Sequence, residues 1–149
     1  MADLISNRRA YADYNILKTY EAGIELLGFE VKSVKTGRAT LTGAFAVIRD
    51  NQAWLLNAVI PPYQTKNSPP SYDPSRTRRL LLHKHEIKEL IGSAAAKGLT
   101  IVPLRIYTKR GRVKIALGLA RHRKQHDKRE VIKKREAKQE MGRAIKGGR

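Results

Sequence analysis

Residues 100–120, TIVPLRIYTKRGRVKIALGLA, place large apolar side chains at alternate positions on both sides of a glycine. Val102, Leu104 and Ile106 precede Gly111, and Val113, Ile115, Leu117 and Leu119 follow it. A period of two interrupted by a tight-turn residue is the pattern of an antiparallel hairpin with one buried face. Such a hairpin needs further strands to cover that face, and the chain supplies them. AFAVIRDNQAWLLNAVI contains two apolar runs separated by Asp50-Asn51, residues that tolerate the positive φ of a hairpin turn. Residues 14–26 put Tyr14, Ile16, Tyr20, Ala22, Ile24 and Leu26 at even positions, a strand expected to break locally at Gly23. Two short helices are expected among them. One joins Leu27, Val31 and Val34 on a face before Gly37; the other joins Ile87, Leu90, Ile91 and Ala94 and stops at Gly98. Residues 61–78 hold five of the six prolines and read as a long loop.

Five or six mostly antiparallel strands with two or three short helices place residues 1–120 in the mainly-β class. The expected architecture is a small antiparallel β-barrel of oligonucleotide-binding (OB-fold) type, although a sandwich alternates in the same way because periodicity does not report closure.

Residues 121–149 are different in kind. They carry +8 of the formal net charge of +18, and Val131, Ile132, Met141 and Ile145 form no stripe at helical spacing. Asp127 with Glu130 resembles an N-terminal cap pair, and Glu130 to Lys134 is a supportive i, i+4 pair. A helix without a packing face is marginal in water, so this basic tail is expected to be disordered when free and helical when an anionic partner neutralises it. Positive charge on both body and tail points to nucleic acid. No stretch of about eighteen apolar residues exists, and MADLISNRRAY lacks the apolar core of a secretory signal, so no membrane association and a cytoplasmic location are expected.

Catalytic and metal chemistry find little support. The chain has no cysteine, which excludes disulfides, thiolate catalysis and cysteine-bound zinc. Glu21, Glu25 and Glu30 form the one acidic cluster of the body, but Glu21 and Glu25 on one strand face stand about 13 Å apart, too far to share an ion. His83 with His85, and His122 with His126, lack an evident third ligand. GSAAAKG lacks the spacing of a phosphate-binding loop. No enzyme, cofactor or metal is therefore expected. For RNA the candidates are better: Arg112 and Lys114 alternate with the buried row of the last hairpin, and Arg76, Arg78 and Arg79 precede Leu80-Leu81-Leu82. Basic grooves with a few apolar platforms are how small barrels hold RNA.

Three stretches, YEAGIELLGFEVKSVKTG at 20–37, YDPSRTRRLLLHKHEI at 72–87 and KQHDKREVIKKRE at 124–136, resemble the SsrA-binding protein (small protein B) family of bacterial trans-translation, as does NRRAYADY at 7–14. The resemblance implies a barrel bound to the tRNA-like domain of transfer-messenger RNA, delivered to ribosomes stalled without a stop codon. The tail would probe the empty mRNA channel near the small-subunit decoding centre, and elongation factor Tu would be met indirectly through the aminoacylated RNA. A monomer is expected. Family RNA-contact positions fall on Glu21, Leu81 and Lys114, and tail positions on His126, Asp127, Lys128 and Arg129. With the basic groups read directly from the chain, the barrel candidates are Glu21, Arg76, Arg78, Leu81, Arg112 and Lys114, and the tail candidates extend to Lys133, Lys134 and Arg135. Tyr72 stands where a histidine is common in the family, and His122 where glycine is. Composition alone also fits a structural ribosomal protein, or a general OB-fold RNA-binding protein, with an rRNA-threading tail.

Overall fold

The computed structural model describes residues 3–64, 69–123 and 132–136. Seven strands run in the order β1(Asp3–Ser6), β2(Tyr14–Ile24), β3(Phe45–Arg49), β4(Gln52–Leu56), β5(Arg78–Leu81), β6(Thr100–Lys109) and β7(Arg112–His122), with α1(Arg8–Asp13), α2(Gly28–Lys35) and α3(Lys84–Lys97) between them. All pairings are antiparallel, and the sequence β6-β3-β4-β5-β2-β7 returns to β6 through the β6–β7 hairpin. The strands thus close into a barrel-like ring. Closure is narrowest between β3 and β6, which pair only at Ala46 and Ile101. β1 takes the other half of the same β6 edge.

Local sequence explains the corners. Asp50 and Asn51 adopt φ of 54° and 58° between β3 and β4, and Arg110 and Gly111 adopt 53° and 77° between β6 and β7, the left-handed pairs that match strand twist in two-residue hairpins. Gly98 ends α3 with φ 61°. Glu30 and Glu86, each third in its helix, accept the backbone N–H of Leu27 and His83 at 2.8 and 3.0 Å and so satisfy a free donor at each start.

The structure departs from the alternating pattern where a second layer covers the barrel. α1 lies outside β6 and β7, and Ala10 packs with Val102, Leu104, Tyr107, Ala116 and Ala120 in a core separate from the barrel interior. Residues 101–104 are consequently buried on both faces. Asn7 locks this layer: its side chain accepts from Ala10 N–H and donates to the Pro103 carbonyl at 2.8 Å. Three elements went unread in the sequence, namely β1, α1 and β5, all of six residues or fewer and too short for a period to register. β2 continues through Gly23 without a break, and β7 runs past residue 120 to His122, where the Arg123 N–H donates to the Asp13 carbonyl at 2.8 Å. The helix faces also differ. α2 buries Glu30, Ser33 and Val34 while Leu27 is exposed, and in α3 Leu90 is buried whereas Ile91 is exposed; the side chain of Ala94 lies outside the described residues.

Glu30 is the reason α2 turns a polar face inward. Both Glu30 and Arg78 are fully buried. Arg78 Nε donates to Glu30 Oε2 at 2.8 Å, its Nη1 to the carbonyls of Ala58 and Arg76 at 2.9 and 3.0 Å, and its Nη2 to the Tyr72 hydroxyl and the Pro74 carbonyl at 3.0 and 2.9 Å. Arg76 forms a second ion pair with Glu30, and the Tyr72 hydroxyl lies 2.8 Å from Glu30 Oε2. Burial by itself would raise the Glu30 carboxyl, but hydrogen bonds from Arg76, the Leu27 amide, Arg78 and Tyr72 outweigh it and hold the group down to about 2.

Replacing Glu30 by Gln leaves Arg78 buried without its counter-charge, and a loss of about 3–5 kcal/mol in urea unfolding is expected. Because the folded carboxyl titrates near 2 against an ordinary 4.5, its stabilisation is complete above about pH 4.5 and disappears as pH falls toward 2. Unfolding free energy measured over that window should decline with acidity in the native chain and decline less in Glu30→Gln.

Candidate nucleic-acid interface

β2 lies between β5 and β7, and Gly23 near its end is paired to Leu81 on one side and Lys114 on the other. The absence of a side chain there lets Leu81 lie across the strand: a Cβ at Gly23 would come within 3.3 Å of Leu81 Cβ and 3.4 Å of its Cδ1. Leu81 is 47% exposed, an apolar side chain held on the outer surface and not turned into the core. Beside it Arg112 is exposed and Lys114 half-buried, and the three line a groove of about 320 Å³ with Gly23 and Leu26. An apolar contact flanked by two cations suits an unstacked base with its phosphates.

Glu21 projects two residues earlier on β2, opposite Ala116. Its carboxylate accepts from the Tyr107 hydroxyl and from Lys109 Nζ at 3.2 Å. The Tyr107 hydrogen bond, opposed by partial burial and aided by Lys109 and Lys114, holds Glu21 below the usual carboxylate range. Burial and the Glu21 contact push the Tyr107 hydroxyl up to about 12. At neutral pH the pair is therefore a carboxylate with a neutral phenol, and Glu21 can accept from base amino or ribose hydroxyl groups while repelling phosphate.

The structure thus brings Glu21, Leu81, Arg112 and Lys114 to one end of the barrel. It removes Arg78, expected as a surface contact, into the core, where every N–H already has an acceptor. Arg76 keeps partial exposure but is committed to Glu30. A run of three arginines beside a proline loop carries no mark of which one is buried; the pairing register with Leu55 decides it. Gly23, Tyr107 and Lys109 were missed as parts of the site, though Gly23 falls at an odd position of β2, on the face opposite its even-numbered apolar row, where it leaves a side chain missing. Among the described residues no group of three or more His, Asp or Glu converges as for a metal. His83 and His85 stack on each other with ring centres 5.6 Å apart.

His126, Asp127, Lys128 and Arg129 lie outside the described residues. Lys133, Lys134 and Arg135 lie in the helical stretch 132–136 and are exposed. The chain leaves β7 at a fixed point: His122 meets the Tyr14 ring edge-on at 5.1 Å, and Arg123 Nε donates to the Tyr14 carbonyl at 3.2 Å. Lys114 and His122 are eight residues apart on one strand, so the groove and the tail's origin lie roughly 27 Å apart at opposite ends of β7.

Comparison with known proteins gives a consistent result. The SmpB protein family matches residues 4–147. An SsrA-binding protein of Thermosynechococcus vestitus is 52% identical over 96% of this chain and 94% of its own length, and one of Trichodesmium erythraeum is 53% identical over 94% and 90%. A solved structure described as "tmRNA-SmpB: a journey to the center of the bacterial ribosome" superposes with a TM-score of 0.66 at 49% identity, covering 85% of this chain and 92% of its own.

The geometry at Gly23 gives a direct test of the groove. Gly23→Val brings a Cβ within 3.3 Å of Leu81 Cβ, which the two strands must ease by a few tenths of an ångström, while its methyl groups displace the exposed end of the Leu81 side chain. Unfolding free energy should stay within about 1 kcal/mol of the native value, since valine suits a strand and the site is superficial, whereas RNA affinity in a filter-binding assay should fall roughly tenfold with loss of the apolar contact.

Proposed function

Because the chain belongs to the SmpB family, we infer that it is an RNA-binding adaptor of bacterial ribosome rescue, which binds transfer-messenger RNA and brings it to stalled ribosomes for trans-translation. The observation that carries the residue-level reading is the convergence of Leu81, Arg112 and Lys114 around Gly23. In this reading the cations engage phosphates of the tRNA-like domain, Leu81 covers an unstacked base, and Glu21 accepts from a base or ribose. All of this is done by binding free energy, with no bond made or broken by the protein. Its place is the cytoplasm, as a monomer, with elongation factor Tu reached through the aminoacylated RNA.

The tail supplies the second half of the function. It starts at the far end of β7 from the groove, so RNA held at one end leaves the other free to enter the small subunit. His126, Asp127, Lys128 and Arg129 follow the anchored Arg123 by three to six residues in the sequence and in this reading meet the decoding centre, with Lys133, Lys134 and Arg135 further along the mRNA channel. Neutralisation by rRNA phosphate removes the repulsion that opposes helix formation in so basic a segment. An occupied channel excludes the tail, which makes its entry a report that no message remains. Because β7 runs to His122, the truncation that tests the division between body and tail keeps residues through Arg123.

Two measurements test this assignment. Lys114→Ala should weaken binding of the tRNA-like domain and reduce the salt slope by about one unit, while Leu81→Ala weakens binding with the slope unchanged; the reverse pattern would place the contact surface elsewhere. A chain ending at Arg123 should bind the RNA with modest loss yet fail in peptide tagging, and Ala137→Pro, costing roughly 3 kcal/mol in a helix, should spare RNA binding and abolish most tagging. Normal tagging by either variant would overturn the conditional helix. A structural ribosomal protein, the competing reading, would be recovered one per ribosome and not in proportion to stalling.

A further inference from the structure

Three arginines precede β5's leucines, and they have different fates. Arg76 and Arg78 are committed to Glu30. Arg79 points outward, makes a loose 3.7 Å contact with Glu25, and leaves its Nε without a hydrogen-bond partner among the described residues. Directly opposite it across the β4–β5 ladder stands Trp54, the one tryptophan of the chain. Trp54 also faces outward, between the buried Ala53 and Leu55, and is only partly buried; its ring is held at the N–H edge by the Arg49 carbonyl at 3.4 Å. A partly exposed tryptophan on the outer face of a small barrel adds nothing to the interior core. A cleft of about 490 Å³ lies against it, lined by Trp54, Arg79, Gln52 and Leu26 among others.

Leu26 also lines the Gly23 groove, and Leu81 is the next outward residue after Arg79 on β5, so cleft and groove form one continuous strip. The strip offers, in order, an indole, a guanidinium paired only loosely with Glu25, an apolar side chain and two further cations. Alternating flat or apolar surfaces with positive charge is what a segment of unpaired nucleotides fits. We propose that Trp54 and Arg79 form a second base-stacking subsite for an unpaired nucleotide of the RNA held at the Gly23 groove. The base lies on the indole, the guanidinium meets its phosphate or its other face, and Glu25 accepts from an exocyclic amino group. The subsite rests on the RNA-binding reading of the groove but is separable from it by experiment.

Trp54 is its own reporter, since no other indole contributes to emission. The full chain should be titrated with the tRNA-like domain of transfer-messenger RNA while tryptophan fluorescence and affinity are both followed. Stacking predicts strong quenching at saturation, a roughly tenfold weaker affinity for Trp54→Leu with an unchanged salt slope, and recovery of most of that affinity by Trp54→Phe. Quenching in the native chain needs no variant, so the test survives a variant that folds poorly. Binding that still depends on Lys114 and Leu81 but leaves the emission and the Trp54→Leu affinity unchanged overturns the subsite and spares the groove. Quenching without any affinity loss means that the indole only senses a nearby charge, and quenching by ribosomes but not by the RNA fragment means that another partner covers it; either overturns the proposal. Failure of the native chain to bind the RNA overturns both readings together.

Discussion

A fully buried carboxylate, shared by two guanidinium groups, governs this molecule. Glu30 enters the interior from α2 and meets Arg78 from the first position of β5, so a helix, a strand and the proline-rich loop between residues 61 and 77 are tied at one place. A buried ion is tolerable only when each of its hydrogen-bonding sites is used, and here Arg78 uses all five N–H groups. That requirement holds residues 72–76 in place, because three of the acceptors, Tyr72, Pro74 and Arg76, lie there. Tyr72 fits the same demand: its ring packs edge-on against Phe29 while its hydroxyl reaches both Glu30 and the Ile60 carbonyl.

The functional surface inherits its geometry from this buried pair. Side chains on a strand alternate, so placing Arg78 and Leu80 inside forces Arg79 and Leu81 outside. Leu81 then lies over Gly23 because β5 pairs with β2 at that residue. Lys114 joins from the other side through the β2–β7 ladder, and Tyr107 reaches Glu21 because β6 is paired to β7 alongside. Four strands from three separate parts of the sequence therefore meet at one end of the barrel, while the contacts of His122 and Arg123 with Tyr14 fix where the tail departs at the other. In the proposed reading, the separation of the two ends along β7 lets one small body hold an RNA at one end and present the tail at the other.

Much of this was legible in the chain itself. The two long hairpins were, because alternation on both sides of Asp50-Asn51 and of Gly111 is a local signal that survives any tertiary context. So was the polyanion partner, since +18 on 149 residues without an apolar span leaves few alternatives. The motif-bearing stretches suggested Glu21, Leu81 and Lys114 as one set of RNA contacts, and the strand pairings bring the three to one end of the barrel. What failed depended on long-range contact. Arg76, Arg78 and Arg79 look alike in sequence, and only the tertiary fold separates a buried ion, its partly exposed companion on Glu30 and a cation held loosely by Glu25. α1 and β1 are too short to have a period, and the outer faces of β6 and β7 read as an anomaly until α1 is seen to cover them. Local pattern determined the class of fold, the turns and the kind of partner, because backbone preference and charge act over a few residues. Which arginine is buried, why a glycine faces Leu81 and where the tail leaves were decided by tertiary structure alone, because burial and pairing are properties of residues brought together from distant parts of the chain.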